Sequence, residues 1–460
     1  MIWYLMQAIM LIATPALAVE PLHINLHQAV KHALENNKLL LADLERLNEA
    51  DASVQAASGR LMPSIKAASS VSRSNSPMSN FGGKLLQQRF TAADFAVGSL
   101  NNPSYLTNYR SSLTLQAPLY QGGRQWAAKE RAEQSQQATR FEIKLNRQQL
   151  TFAVIQAYSN TFRLHTREKA ARSALTAAEH HLQQTRSLLD RGLAIQSDVL
   201  DARAHVSDTR LALLQVSNAR LQAMDELGRL LGYSASEHVL NLTAEPALGN
   251  RWMRESTQLE GNQQTLSSHS RDDIIEQHPQ LAALKRQLKA EQAGIREASA
   301  GLLPHIGLVA TQEWNNNTPV PSHPNSSIAA ELSMNLFAGG SDMAARRGAQ
   351  ARFAALQYRL QDQRQKLHND LAQALRQLRE AQTAVAARHD SLEQARESLR
   401  ILNLRMQQGL EKSTDVLDAQ TRADQAVARD IDARFKLIVS RAALLLAAGR
   451  LTPEYSDESR

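Results

Sequence analysis

Four aspartates carry the clearest chemical potential in this chain, and they come in two identical settings. Asp198 and Asp201 lie in the pentapeptide DVLDA, residues Asp198–Ala202, and Asp415 and Asp418 lie in DVLDA again, residues Asp415–Ala419. Aspartates at i and i+3 share one face of a helix. Such a pair can set a negative field at a constriction, or it can cap the helix that it opens. Ser197 and Thr414, which precede the motifs, offer competing caps. His23 and His27 stand four apart in HINLH, with His32 further on. That spacing is open to metal ligation, but the pair falls in a stretch read as extended, and hydrogen-bonded or solvated histidines are the simpler reading.

Other chemistry is missing. The chain has no cysteine, which excludes thiolate metal sites, disulfides, cysteine nucleophiles and a lipid anchor on cysteine. It holds no Gly-x-Ser-x-Gly, no phosphate loop and no His-Glu-x-x-His. Neither an enzyme nor a cofactor is expected. The net charge is +7, yet no dense Lys/Arg block occurs, so the surplus reads as a solvated surface and not as a nucleic-acid footprint.

The elements that position the aspartates follow from an internal repeat. The offset of 217 that carries Asp198 onto Asp415 also carries Leu115–Gly123 (LQAPLYQGG) onto Leu332–Gly340 (LSMNLFAGG). Gly192-Leu193 and Gly409-Leu410 precede their DVLDA motifs by the same four residues. Upstream, Pro63 in GRLMPSI matches Pro304 in GLLPHI at an offset of 241, so the first half carries 24 extra residues. These fall within Ser74–Asn108, a stretch rich in Ser, Asn, Gly and Pro that reads as an exposed loop.

Each half therefore holds a helix, a strand, a loop, a strand, a very long helix, a glycine turn and a further helix. Arg124–Asp190 contains no Pro or Gly and predicts a rod about 100 Å long. Arg346–Gln408 repeats it, with Gly348 as its one weak point. After the first turn, Val199, Val206 and Leu213 recur every seven residues, the spacing of a coiled coil. A rod of that length must pack against other long helices. The expected organisation is residues 1–18 as a signal peptide, 19–248 as the first repeat, 249–270 as a linker, 271–450 as the second repeat and 451–460 as a tail. The first eighteen residues are uncharged and end in Ala16-Leu17-Ala18, a cleavage pattern. They lack a basic n-region, so a short membrane anchor is the alternative.

Strands are expected at 61–72, 108–120, 302–314 and 327–337, each alternating apolar and polar residues. Leu113, Leu115, Ala117 and Leu119 alternate with Ser112, Thr114 and Gln116; Ile328, Ala330, Leu332 and Met334 alternate with Ser327, Glu331 and Ser333. A soluble sandwich gives the same alternation, but no second sheet is at hand to cover these strands. A transmembrane barrel suits them, with the aromatic residues Tyr120, Trp126 and Phe337 near the strand-to-helix corners. Four strands cannot close a barrel alone, so the chain must oligomerise. A soluble periplasmic coiled-coil scaffold or adaptor is the alternative reading.

The two aromatic-x-Gly-Gly corners (Tyr120, Gly122, Gly123; Phe337, Gly339, Gly340), the two proline-initiated strands and the two Gly-Leu-x4-DVLDA tips make the chain resemble the TolC-type outer membrane factors. The resemblance covers nearly the whole mature chain. It implies a mainly α protein with transmembrane β. In it a homotrimer builds a twelve-stranded barrel in outer membrane lipid, continuous with a twelve-helix periplasmic α-barrel. It further implies a passive exit duct for efflux or type I secretion. The duct would be opened by a periplasmic adaptor and energised by an inner-membrane pump of RND, ABC or MFS type. By motif position, Asp415 and Asp418, with Asp198, would surround the periplasmic aperture, and Gly192, Leu193, Gly409 and Leu410 would form the turns that the adaptor engages. Glu411 departs from the family pattern, where some members have a basic residue that ties the closed tip. A non-lipidated form is implied.

Overall fold

The computed structural model describes residues 22–233, 240–261, 268–408 and 410–452. The expected signal segment and Gly409 lie outside the described residues. The chain is mostly helical and divides into two compact units. One unit holds Leu44–Glu142 and Gln280–Gln363; the other holds the residues up to Asp43, Ile143–Pro279 and those from Arg364 onward.

The first of these units contains a four-stranded antiparallel sheet in the order β2 (Ser64–Ser74), β3 (Leu106–Gln121), β5 (His305–Asn316), β6 (Pro324–Ser333). The two central strands come from different repeats. Register explains the alternation in the sequence. Ile65, Leu115, Ala310 and Ile328 form one cross-strand row, and Lys66, Thr114, Thr311 and Ser327 form the next, on the opposite face. One face is thus apolar and the other polar. Ladder pairing breaks between Pro118 and Tyr120, where Leu119 is the extra residue of a β-bulge. Pro118 has no N–H to give to the ladder, so a bulge is tolerated there. The bulge brings Tyr120, opposite Ile306, onto the apolar face beside Leu308 and Ala117.

The strand ends differ from expectation by a few residues. β2 starts after Pro63 because Leu61 and Met62 are still held in the turn that ends the preceding helix, their N–H groups donating to Ser58 O and Gly59 O. β6 stops at Ser333 because its partner β5 starts at His305, opposite it. Met334–Phe337 therefore have no ladder among the described residues, and Leu336 and Phe337 are 90% and 89% exposed.

The stretch Ser74–Asn108 is not a loop. It folds into α3 (Pro77–Leu86), a 3-10 turn (Ala92–Phe95) and α4 (Val97–Asn101). Three phenylalanines make a small core: Phe81 and Phe95 each pack edge-on against Phe90, at 4.8 and 5.1 Å. Lys84 closes the assembly on Asp94 at 2.6 Å.

The other unit holds most of the long helices. Helix α5 (Arg124–Asp190) and helix α10 (Ser341–Gln407) each have 67 residues, of which those from Ile143 and from Arg364 onward belong to this unit, and each leads by a short turn to its successor, α6 (Gln196–Leu231) or α11 (Ser413–Ala447). The unit also has a parallel pair, β1 (Leu22–Ile24) with β4 (Leu240–Leu242), which the alternation pattern does not signal because each strand has three residues. Tyr158, fully buried, donates to the Ala244 carbonyl at 2.7 Å beside this pair. The expected linker 249–270 instead contains a helix, α7 (Asn250–Gly261). Its buried Trp252, Ser256 and Leu259 form one stripe, and Trp252 Nε1 donates to the Thr452 carbonyl at 2.8 Å. The stripe has too few apolar residues to stand out in the sequence.

Candidate functional site

Both tips are built the same way. At the end of α5, Gly192 N–H donates to Leu189 O at 2.9 Å and Leu193 N–H to Leu188 O at 2.8 Å, with Gly192 at φ +71°. This is a Schellman turn, which needs glycine at the left-handed position. At the end of α10, Leu410 N–H donates to Arg405 O at 2.9 Å, the bond related to Leu193–Leu188 by the offset of 217. The residue after such a turn usually packs back on the helix. Here Leu193 and Leu410 are 69% and 64% exposed, and Ile195 is bare as well. The turns thus leave large apolar side chains exposed.

The pentapeptide has a buried face and an outer face in both copies. Val199 and Ala202, and likewise Val416 and Ala419, are buried, while the aspartates lie on the outer side of the helix start. The identical motifs differ in detail. Asp198 accepts the Ile195 N–H at 3.1 Å and so caps α6. Among the described residues, Asp415 and Asp418 have no side-chain hydrogen bond or ion pair. Glu411 pairs with Arg405 at 3.2 Å, so this acidic residue holds the turn to its own helix.

Sequence reasoning missed His181. It is buried on α5, and its Nε2 lies 3.1 Å from the hydroxyl of Ser413, the first residue of α11. Only its distance to α11 reveals it. Around it stand His180 on the same helix, His205 on α6, Asn403 and Gln407 on α10, and Gln420 on α11. Burial holds His181 below its ordinary value of 6.5, and His205 and His180 push the same way. The sign of the pH effect follows. Above 6.5 the ring is neutral both folded and unfolded and contributes no pH dependence. As pH falls through 6.5 the unfolded chain takes the proton first, and the fold loses stability, at most about 1.4 kcal/mol per pH unit for one proton. His181→Gln is therefore expected to lose less stability than the wild type between about pH 7 and about pH 5, read by denaturant titration. His165 and His278, also held low by burial, keep part of the slope.

The corners also repeat. Gly122 and Gly123 have φ of +62° and +79°, and Gly339 and Gly340 have +60° and +79°. Two successive left-handed residues reverse the chain from strand to helix, which only glycine does without strain. Gly122 is pressed against the 3-10 turn Ala300–Leu302: a Cβ there would lie 2.6 Å from the Ala300 carbonyl oxygen. At Gly339 a Cβ would meet nothing within 4 Å. Tyr120 is about half exposed and Phe337 almost fully so. Downstream of HINLH, His32 is taken up by the Leu231 carbonyl at 3.1 Å and by Tyr233.

A paired set of long helices with glycine-turned tips, joined in sequence to strands with one apolar face, defines a class of membrane channel. The chain belongs to the outer membrane efflux protein family, whose model matches residues 29–233 and 271–450. It is 23% identical over 308 residues to the alkaline protease secretion protein AprF of Pseudomonas aeruginosa, covering 66% of this chain and 62% of AprF. It is 24% identical over 401 residues to the pyoverdine export outer membrane protein OpmQ of the same organism, covering 86% of this chain and 78% of OpmQ. Its fold matches the outer membrane protein VceC of Vibrio cholerae with a TM-score of 0.76, at 17% identity and 92% and 96% coverage of the two chains. The family is one of transport ducts and not of enzymes, and its location is the outer membrane.

Proposed function

We propose that three copies of this chain close a twelve-stranded barrel in the outer membrane and a twelve-helix tube in the periplasm, forming a passive exit duct. The carrying observation is the pairing of β3 with β5. By the internal repeat, β3 is equivalent to β6 and β5 to β2. The ladder formed inside the chain is therefore the one that β6 would form with β2 of the next copy. Those two are the strands whose outer edges are unpaired within the described sheet. An unprotected edge asks for a partner, and closure removes it.

The same relation fills the space at Gly339. Ala300, which presses on Gly122, is equivalent to Gly59, so Gly339 would meet the partner subunit's Gly59. The apolar face has the right extent. From Tyr120 to Tyr109 the strand rises about 34 Å, which at barrel tilt gives a band near the usual height of about 25 Å with aromatic residues at both rims.

In this reading Asp415 and Asp418 ring the periplasmic aperture, where six carboxylates favour cations. Asp198 belongs to the same region but spends its charge on capping. Gly192, Leu193, Gly409 and Leu410 form the turns that meet a periplasmic adaptor, and an inner-membrane pump supplies the energy. The anchor is the barrel itself, without lipid on cysteine. A photo-crosslinking residue placed at Leu193 or Leu410 in living cells is expected to capture the hairpin of a periplasmic adaptor. Tips that capture no adaptor while the protein sits in the outer membrane would overturn the assignment of the turns.

A further inference from the structure

We infer that the insertion between β2 and β3 is a plug latched to the inner wall of the barrel mouth, and that it sets the largest cargo that leaves. The inference rests on the barrel reading above and adds a specificity determinant to it.

The first support is the face on which the insertion lies. Gln87, just after α3, donates from Nε2 to Asn108 Oδ1 at 2.9 Å and to the Thr107 carbonyl at 3.0 Å. Asn108 donates to Asn315 Oδ1 at 2.9 Å, and Asn315 donates to Glu313 Oε1 at 3.1 Å. Glu313 pairs with Arg110 at 2.5 Å. Asn108 and Arg110 alternate with Tyr109 on β3, and Glu313 and Asn315 alternate with Trp314 on β5. All four belong to the polar face. On the same side Leu106 presses on Gly83 of α3 so closely that a Cβ there would lie 2.6 Å from it. A barrel with its apolar face to lipid puts this side in the lumen.

The second support is that the contact is built rather than loose. Gln87 and Asn315 are 0% exposed in a single protomer. Buried amides of this kind are tolerated when they satisfy one another, and a connected set fixes one arrangement. Gln87 Oε1 stays without a hydrogen-bond partner among the described residues, so the network holds one unspent acceptor.

The third is strain. Among the described residues, Gln88 (φ +51°) and His323 (φ +57°) are the non-glycine residues in the left-handed region. They touch one another, His323 Nδ1 to Gln88 Oε1 at 3.4 Å. One lies beside the latch and the other in the connection between β5 and β6. Strain kept at two contacting positions is held by its surroundings and is typical of a functional contact. The second repeat has no counterpart of the insertion, so it is not needed to make a strand pair. Its connection from Asn316 to Pro324 joins two strands without a helix.

A chain without cysteine allows a clean test in intact cells. Thr114→Cys lies on the polar face, six residues along β3 from Asn108, about 20 Å inward from the latch. Two thiol reagents are applied from outside: a small trimethylammonium methanethiosulfonate, and a maleimide carried on a long polyethylene glycol chain. The small reagent is expected to label and the polymer to be excluded. Adding Gln87→Ala and Asn108→Ala, which removes the latch bonds, is expected to raise polymer labelling about tenfold. Replacing Pro77–Asn101 by a short Gly-Ser linker, which does not depend on the latch variant folding, is expected to give the same result. Polymer labelling of the latched protein as fast as by the small reagent would overturn the plug. So would exclusion that persists after the replacement. Labelling at Leu113→Cys but not at Thr114→Cys by the small reagent would instead place the apolar face in water and overturn the barrel reading itself.

Discussion

Replacing Asp415 and Asp418 together by Ala is expected to abolish the cation preference of the channel and leave the trimer intact. The aspartates are separable from the fold because the buried half of their motif is Val416 and Ala419. Neither aspartate holds a side-chain hydrogen bond or ion pair among the described residues. Their removal costs α11 at most the favourable effect of Asp415 in its first turn, roughly 0.3–1 kcal/mol. In the proposed trimer their charge, in contrast, would be repeated on three chains around one opening, where like charges reinforce one another. The preference should be strongest at low salt, because screening acts within about 10 Å at 0.1 M. It is read as the reversal potential across a salt gradient. Asp198→Ala is the informative contrast. It breaks the bond to the Ile195 N–H and should loosen the start of α6 by about 1 kcal/mol with a smaller change in selectivity. A double variant with unchanged reversal potential would mean that Asp415 and Asp418 serve the helix start alone.

The second large effect separates two glycines that look alike. Gly122→Ala is expected to damage the protomer, whereas Gly339→Ala should spare the protomer and weaken the trimer. Both positions have positive φ, and a side chain there costs about 1–2 kcal/mol. At Gly122 the new methyl also meets a carbonyl oxygen at 2.6 Å and Leu303 Cβ at 2.9 Å, backbone and near-backbone atoms that cannot swing aside. Gly339 has open space within its own chain. In the proposed trimer that space would be closed by a neighbouring copy's equivalent of Ala300. Yield of folded protein and trimer-to-monomer dissociation in detergent distinguish the two. Equal behaviour of both variants would remove the support that the repeat gives to the trimer.

The long helices were legible because a coincidence of motifs at one offset permits no insertion, and one extra residue would turn everything beyond it by about 100°. The alternation of Leu113, Leu115 and Ala117 showed which face is apolar, since a strand has a period of two. Pairing was less legible. Nothing in the alternation says that β3 joins β5, nor that Leu119 is a bulge that moves Tyr120 to the apolar face. The fold of Ser74–Asn108 escaped because its Phe81, Phe90 and Phe95 are too widely spaced to make a periodic pattern, and because Gln87 acquires its partners only through the sheet. At the tips, the turn glycines and the aspartates stood out by repetition. His181 did not, since its partner Ser413 is 232 residues away. Two identical pentapeptides also concealed a difference: Asp198 bonds to a backbone N–H, while Asp415 stands beside a serine already engaged by a histidine.

The central claim is that copies of this chain close a barrel through lipid. Planar-bilayer recording of the purified, detergent-extracted protein tests it most directly. Discrete, uniform steps of ionic current are expected on insertion. A protein that stays in water without detergent and never produces a step would contradict the barrel and leave the long helices as a soluble periplasmic scaffold.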